Sequence, residues 1–254
     1  MNLPRYQENE EVGAALAKPA ERDRQAALGA VGRFAAFPAL DDPRPVVLLD
    51  DAVHVEDGFV TGDAKMAFLQ GVIEAVEGAP EEPVRLLRVA QLRGCPPRAP
   101  LLVRGAVLLE TAFGTDRGQQ VFPAWRVEAA EVCGPIWVLA EEVLSRCWSP
   151  PAVAEDETSG PHVLVRASVD PSGRDLAVDF IGGSESLFDY EAEAVETPAA
   201  VAVVPQQRVR RALPSGTRIT AEGHFRLVHV RLREPLGGRV LVNLDGTPVE
   251  VAQA

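Results

Sequence analysis

The sequence contains almost no lysine. Lys18 and Lys65 are the only lysines among 25 basic residues, so the other 23 (25 minus 2) are arginine. Acidic residues number 37, which gives a formal net charge of -12. A chain with this charge repels the phosphate backbone of nucleic acids and the anionic surface of membranes. We therefore expect no nucleic-acid partner.

Cysteine is also scarce, and its spacing is uninformative. Cys95, Cys133 and Cys147 form no Cys-x-x-Cys pair. A disulfide framework normally uses an even number of cysteines in a shorter, secreted chain, and a zinc site requires closely spaced ligands. The simplest interpretation is three buried free thiols and no metal site, although one disulfide with a leftover thiol remains open.

Long apolar runs are absent as well. No stretch approaches the roughly 18 residues that a membrane-spanning helix needs. The first five residues, Met1 to Arg5, are followed by an acidic stretch rather than by the apolar segment of a signal peptide. The sequence as written predicts a cytoplasmic protein without membrane insertion. A chain trimmed of its export signal would look the same, and would then be extracytoplasmic.

The first part of the chain is rich in helix-forming residues. We assign residues 1–37 to a helical or partly ordered arm, because Ala, Glu, Arg and Gln are abundant there. Pro19 is expected to break the helix, since proline lacks an N–H and clashes with the preceding turn. After it, Leu28, Val31 and Phe34 fall on one side of a second helical piece. This arm is either a docked helix or a mobile leader.

Residues 38–148 mix one helix signal with several strand signals. Thr61 is a helix N-cap candidate, and the apolar residues from Met66 to Val76 have helical spacing. Residues 140–148 are compatible with a short closing helix. The pattern therefore predicts an α+β domain. Strands are predicted at 46–49, 84–92, 101–113, 120–129 and 135–139.

The remainder of the chain is predicted to be almost entirely strands and turns. Residues 149–161 combine proline with small and acidic residues, as is typical of a linker. Beyond them, short strands alternate with turns such as 170–173 and 235–239, a spacing that favours a β-sandwich. We predict an α+β, mostly β fold, with an antiparallel sandwich at 162–254.

Six segments carry a family resemblance: 115–118, 123–125, 134–139, 176–183, 189–197 and 228–242. They resemble β-rich domains of uncharacterised actinobacterial proteins, many of which look secreted or lipid-anchored. That family has no assigned activity, so the resemblance implies a fold and an extracytoplasmic tendency but transfers no functional residue.

The sequence contains no recognisable catalytic or cofactor motif. The sequence has no Gly-x-Ser-x-Gly element for a hydrolytic serine. Asp50, Asp51 and His54 are the densest group of metal-ligand types, but Asp51 and His54 are three residues apart on a predicted strand and would face opposite sides. We assign no catalytic residue, no metal ligand and no cofactor.

A polar turn next to a tryptophan is the strongest candidate for binding. Asp116 and Arg117 lie in this turn, and Trp125 follows on the next strand. Tryptophan and arginine are enriched among residues that dominate binding energy at interfaces. The alternative is structural: Asp116 and Arg117 form a turn, while Trp125 packs with Trp137 between the domains.

These observations favour a non-catalytic binding protein. We predict that it presents loops of two β-rich domains to an unknown protein partner; the oligomeric state is not predicted. The alternative function is a hydrolase with an unrecognised carboxylate and histidine site, possibly metal-assisted. A single pocket that gathers Asp50, Asp51 or His54 with a histidine from the second domain would favour that alternative.

Overall fold

The computed structural model describes residues 8–88, 99–150, 163–185, 187–209 and 223–253, with the backbone alone for 8–20 and 209. Cys95 and most of the predicted linker lie outside the described residues. The fold is mostly β, with a few helices and several sheets, as predicted. The elements are α1 (Glu8–Arg33), β1 (Val53–Val55), α2 (Gly62–Leu69), β2 (Ile73–Ala75), α3 (Glu81–Leu87), β3 (Leu101–Thr115), β4 (Gly118–Ala129), β5 (Ile136–Leu139), α4 (Glu141–Leu144), β6 (Leu164–Val169), β7 (Asp175–Gly182), β8 (Phe188–Glu196), β9 (Ala200–Val209), β10 (His224–Arg231), β11 (Val240–Val242) and β12 (Val251–Gln253).

The chain divides into two compact units. Unit 1 comprises Met1–Leu49, Asp116–Gly118 and Trp148–Ala254, and unit 2 comprises Asp50–Thr115 and Gln119–Cys147. These units differ from the predicted division at residues 38–148, because residues 38–49 and 116–118 group with the C-terminal half.

Helix α1 belongs to unit 1 and buries one face. Ala27, Ala30 and Val31 of α1 and Phe34, which directly follows the helix, have helical spacing and lie in one core cluster. Leu28, which was expected on this face, is exposed instead. The helix also continues through Pro19, so the predicted break is wrong. A proline inside a helix removes one backbone hydrogen bond, and the residues around it favour helix strongly enough to continue.

Strand β9 connects the two cores of unit 1. Its alternating residues point in opposite directions, as strand geometry requires. Ala200, Ala202 and Val204 join the cluster that contains α1. Val201 and Val203 join a second cluster, which includes buried residues of β6, β7 and β10. Sheet β11-β9-β8 therefore contributes to one core on each of its faces.

The predicted turn at 170–173 is confirmed between β6 and β7, which pair antiparallel. The sheets are not wholly antiparallel, however. Strand β11 pairs parallel with β9, and β12 pairs parallel with β6. The antiparallel prediction is wrong at these two pairs, because the short terminal strands return to partners far away in sequence. The turn at 235–239 joins β10 to β11, which lie in different sheets, so it does not form a hairpin.

Unit 2 contains a five-stranded sheet in the order β1-β5-β4-β3-β2. Strands β3, β4 and β5 and helix α4 occur where the sequence predicts them. The strand predicted at 46–49 lies in unit 1 and is replaced by isolated bridges at Val46 and Leu48. The core is filled by Ile73, Val103, Val127, Ile136 and Val138, together with side chains from α2 and α3.

Two predictions in unit 2 are wrong. The helix capped by Thr61 ends at Leu69 rather than at Val76, because a strand at Ile73–Ala75 pairs parallel with β3. Gly71 has a φ of 66° and supplies the intervening turn. The strand predicted from Val84 is instead helix α3, at least as far as Leu87. Short apolar runs fit either structure, and tertiary contacts decide between them.

The close approach of Gly238 to Ala39 supports a stability prediction. A Cβ at Gly238 would lie 1.8 Å from the carbonyl oxygen of Ala39, so backbone must move to admit it. We expect Gly238→Ala to lower the free energy of unfolding by about 1–3 kcal/mol. The same substitution at Gly29 in α1 has no atom within 4 Å and should stabilise by about 0.5–1 kcal/mol. Urea unfolding measures both, and equal effects would contradict the close approach.

Candidate functional site

Asp116 is buried at the turn between β3 and β4. Its side chain is 1% exposed, and its carboxylate accepts hydrogen bonds from Arg44 Nη1 at 3.2 Å and Nη2 at 2.5 Å. Arg117 Nε lies 3.6 Å from the same carboxylate. Arg117 also donates to the carbonyl oxygens of Gly237 and Arg239, both at 2.7 Å. The polar groups predicted to bind a partner are thus engaged inside unit 1.

Trp125 belongs to unit 2 and has different surroundings. Its indole Nε1 donates a hydrogen bond to Glu82 Oε1 at 3.0 Å. The backbone N–H of Glu141, at the start of α4, donates to the same oxygen at 2.9 Å. Helix α3 therefore positions the Glu82 carboxylate, and that carboxylate fixes the tryptophan ring. The ring is half-buried and packs against the core of unit 2.

An open depression surrounds this tryptophan. Its volume is about 470 Å³. Three carboxylates and one hydroxyl contribute the polar part of its wall, and Trp125, Leu108 and a small side chain contribute the apolar part. The lining residues are Glu82, Leu108, Trp125, Ala140, Glu141, Glu142 and Ser145.

One end of the strand face that carries Trp125 is apolar and exposed, whereas Val127, farther along the same face, is fully buried. Val121, Pro123 and Trp125 alternate with the buried residues Phe122 and Ala124, so they share one side of β4. Val121 is 63% exposed, and Leu108, which adjoins Trp125 in the depression, is 48% exposed. We call Leu108, Val121, Pro123 and Trp125 the hairpin face.

Two hydrogen bonds favour the charged form of Glu82 in the depression. The hydrogen bond from the Glu141 backbone N–H, followed by the bond from the Trp125 indole, lowers the pKa of Glu82 below the ordinary value for glutamate, against a smaller opposing effect of desolvation. Glu82 is therefore a carboxylate at neutral pH. Arg85 forms an ion pair with Glu141 beside it.

The Glu82–Trp125 contact predicts a pH-dependent fluorescence signal. A lowered folded-state pKa means that the contact is present above the ordinary glutamate pKa and is lost as the pH falls through the folded-state pKa. We expect the Trp125 emission to change with a midpoint below the ordinary range for glutamate. The difference between wild type and Trp125→Phe isolates this emission from that of the other tryptophans.

Two substitutions check the assignment of that signal. Glu82→Gln should abolish the acid transition of Trp125. Glu56→Gln is the matched control, because Glu56 Oε2 accepts a hydrogen bond from the other indole, Trp137, at 3.1 Å. A Trp125 transition that persists in Glu82→Gln would show that another group causes it.

The remaining candidates do not converge on the depression. Asp50, Asp51 and His54 are absent from its lining, and the His54 ring lies 5.8 Å from the ring of Phe113. Within the described ranges, no three His, Cys, Asp or Glu side chains are grouped so that they could hold a metal ion. None of the described helices is both long and apolar enough to cross a membrane.

The cysteine prediction is wrong in part. Cys133 and Cys147 are free thiols, but Cys133 is exposed rather than buried. Cys147 is half-buried, and this burial raises the pKa of its thiol. A raised pKa leaves less reactive thiolate at neutral pH.

Sequence reasoning identified Trp125 but missed the carboxylates around it. Glu82 precedes the strand predicted at 84–92 and has no role in that prediction, whereas helix α3 places it against Trp125. Glu141 and Glu142 lie in the predicted closing helix, but no local pattern distinguishes them from other surface acids.

Comparison of the chain with protein-family models, curated proteins and solved structures finds no match.

Proposed function

We propose that this protein is a non-catalytic interaction protein that binds a protein partner through the hairpin face of unit 2. The observation that carries the proposal is the exposure of Leu108 next to Trp125 in the depression and of Val121 farther along the same side of β4. Exposed apolar surface marks interaction sites in soluble proteins when it forms a patch. Tryptophan is among the residues that contribute most binding energy when a partner covers them.

The rigid support of this face favours binding. Trp125 is held by its hydrogen bond to Glu82 and by packing against the core of unit 2. Little side-chain entropy is then lost when a partner covers the ring, which reduces the cost of association. The proposed contact is a strand face, whereas the sequence suggested loops.

We also propose that residues 162–254 form a β-sandwich, as the sequence predicts. Its support is that β9 and β11 share a core cluster with β6, β7 and β10. Nothing specific favours the hydrolase alternative: the carboxylates of the depression are not accompanied by a histidine in its lining.

Affinity capture with matched baits tests the proposal. The full chain is compared with Val121→Glu and with Val60→Glu in a lysate of the organism that encodes it. Val60 is 64% exposed in unit 2, so the control introduces the same charge at equal exposure outside the hairpin face. We expect a protein that wild type and Val60→Glu retain and that Val121→Glu retains at least about tenfold less, a loss of about 1.4 kcal/mol.

The capture experiment has a clear negative outcome. If every retained protein binds wild type and Val121→Glu equally, the hairpin face is not the contact surface. Circular dichroism of each bait confirms that the substituted chains are folded before they are compared.

A further inference from the structure

We infer that the depression beside Trp125 receives a positively charged side chain, an arginine or a lysine, from the protein segment that lies on the hairpin face. This inference rests on the proposed function, because it specifies which partner the face accepts. The exposed Leu108 and the half-buried Trp125 line the depression, so a segment that covers them would place a neighbouring side chain into it.

The charge of the lining selects a cation. Glu82, Glu141 and Glu142 line the depression, and no basic side chain does. Glu141 is already paired with Arg85. Within the described part of the chain, Glu142 forms no ion pair, and the second oxygen of Glu82 receives no hydrogen bond. Two carboxylates are therefore available to an incoming group.

The ion pair between Arg85 and Glu141 shows that a carboxylate of the depression accepts a guanidinium group. The contact is made by one guanidinium nitrogen and one carboxylate oxygen at the edge of the depression. Glu82 is held by two donors through a single oxygen, Oε1, which leaves its other oxygen fixed in position and charged. A carboxylate held in place in this way loses little entropy when it accepts a charged donor.

The apolar part of the depression suits the stem of the same side chain. Arginine and lysine carry three or four methylene groups, which pack on apolar surface while the charged group reaches a polar partner. Leu108 supplies such a surface, and a cation next to the Trp125 ring gains an additional attraction from its π electrons. The depression thus combines the two kinds of surface that a long cationic side chain requires.

Peptide titration tests this inference directly. The probes are blocked pentapeptides, Gly-Leu-Xaa-Leu-Gly, in which Xaa is arginine, lysine or citrulline. Citrulline has the shape of arginine without its charge. Binding to the full chain is measured by calorimetry and by Trp125 fluorescence. At low salt we expect the arginine and lysine peptides to bind about tenfold more tightly than the citrulline peptide, and the difference to shrink at high salt.

Substitutions connect the effect to the depression. Glu142→Gln and Glu82→Gln should each bring the arginine peptide close to the affinity of the citrulline peptide. Glu56→Gln removes an equal charge next to Trp137 and should leave the difference between the peptides unchanged. Loss of the difference in Glu56→Gln would assign the effect to the overall negative charge and overturn the inference.

The outcomes separate this inference from the proposed function. Equal binding of all three peptides, lost in Val121→Glu, overturns the charged occupant and leaves the hairpin face as a binding surface. A preference for arginine and lysine that Val121→Glu, Glu142→Gln and Glu82→Gln all leave intact overturns the inference, because the cation then binds elsewhere. If no peptide binds, the inference is overturned, and the capture experiment decides separately whether the hairpin face binds a protein.

Discussion

Replacing Phe34 by alanine should lower the free energy of unfolding of unit 1 by about 3–5 kcal/mol. Phe34 lies near the end of α1 and is 0% exposed. Its ring lies 4.8 Å from the ring of Trp148 and 6.4 Å from the ring of Phe37. The loss combines the transfer of an aromatic ring to water with the cavity left between these neighbours.

This prediction tests whether the N-terminal arm is docked. The sequence left open whether residues 1–37 form a docked helix or a mobile leader, and Phe34, which directly follows α1, contributes to the core only if this arm is docked. Leu28→Ala is the matched control, because Leu28 lies in the same arm and is about half exposed. Its cost should stay within about 0.5 kcal/mol.

Urea unfolding followed by circular dichroism measures both variants. A Phe34→Ala protein as stable as Leu28→Ala would mean that the helix makes little contribution to unit 1. The expected difference of several kcal/mol would instead identify α1 as part of its core.

Removing the carboxylate of Asp116 should have an effect of similar size. We expect Asp116→Ala to cost about 3–5 kcal/mol, because it leaves two largely buried cationic groups without their counter-charge. Arg44 and Arg117 both pair with this carboxylate. Burial lowers the pKa of Arg117, the charge of Asp116 raises it, and the charge of Arg44 lowers it further. Without Asp116, the two guanidinium groups repel each other with no compensation.

A double-mutant cycle distinguishes this charge effect from lost packing. Arg44→Ala also removes the hydrogen bond from Arg44 Nε to the Gly238 carbonyl oxygen and the contact with the Phe37 ring. Arg44→Ala combined with Asp116→Ala should nevertheless cost less than the sum of the single variants, since the double variant has one buried charge fewer to leave unpaired. Additive costs would show that the ion pair itself contributes little.

An exposed ion pair provides the reference for this cycle. Asp175 pairs with Arg231 at 3.3 Å on the surface of unit 1. Asp175→Ala should cost at most about 1 kcal/mol, since solvent screens exposed pairs. Chemical denaturation at neutral pH measures all four variants under one condition. Equal costs for Asp116→Ala and Asp175→Ala would contradict the importance of burial.

The sequence predicted Asp116 and Trp125 as one candidate binding group, and the structure gives them different roles. Asp116 was expected in a turn, and it lies in one. Its burial depends on Arg44, 72 residues away in the chain, and no local pattern shows that pairing. Trp125 depends in the same way on Glu82 and Glu141, which approach it from α3 and α4.

Local patterns predicted the elements that are long or bounded by clear turns. The strand predicted at 101–113 and the turn predicted at 170–173 needed no distant information, because strand and turn preferences are set by neighbouring residues. The same reasoning failed for Ile73–Ala75 and for Val84–Leu87. These segments are short and apolar, so the sequence alone could not decide between helix and strand.

The amino-acid sequence by itself determined the acidic charge, the mostly β composition and the position of Trp125 on a strand. Tertiary structure decided the parallel partners of Val240–Val242 and Val251–Gln253, the docking of α1, and the carboxylates around Trp125. The physical reason is distance along the chain. Charge and strand preference are properties of single residues and their neighbours, whereas a buried ion pair or a depression exists only when remote segments are packed together.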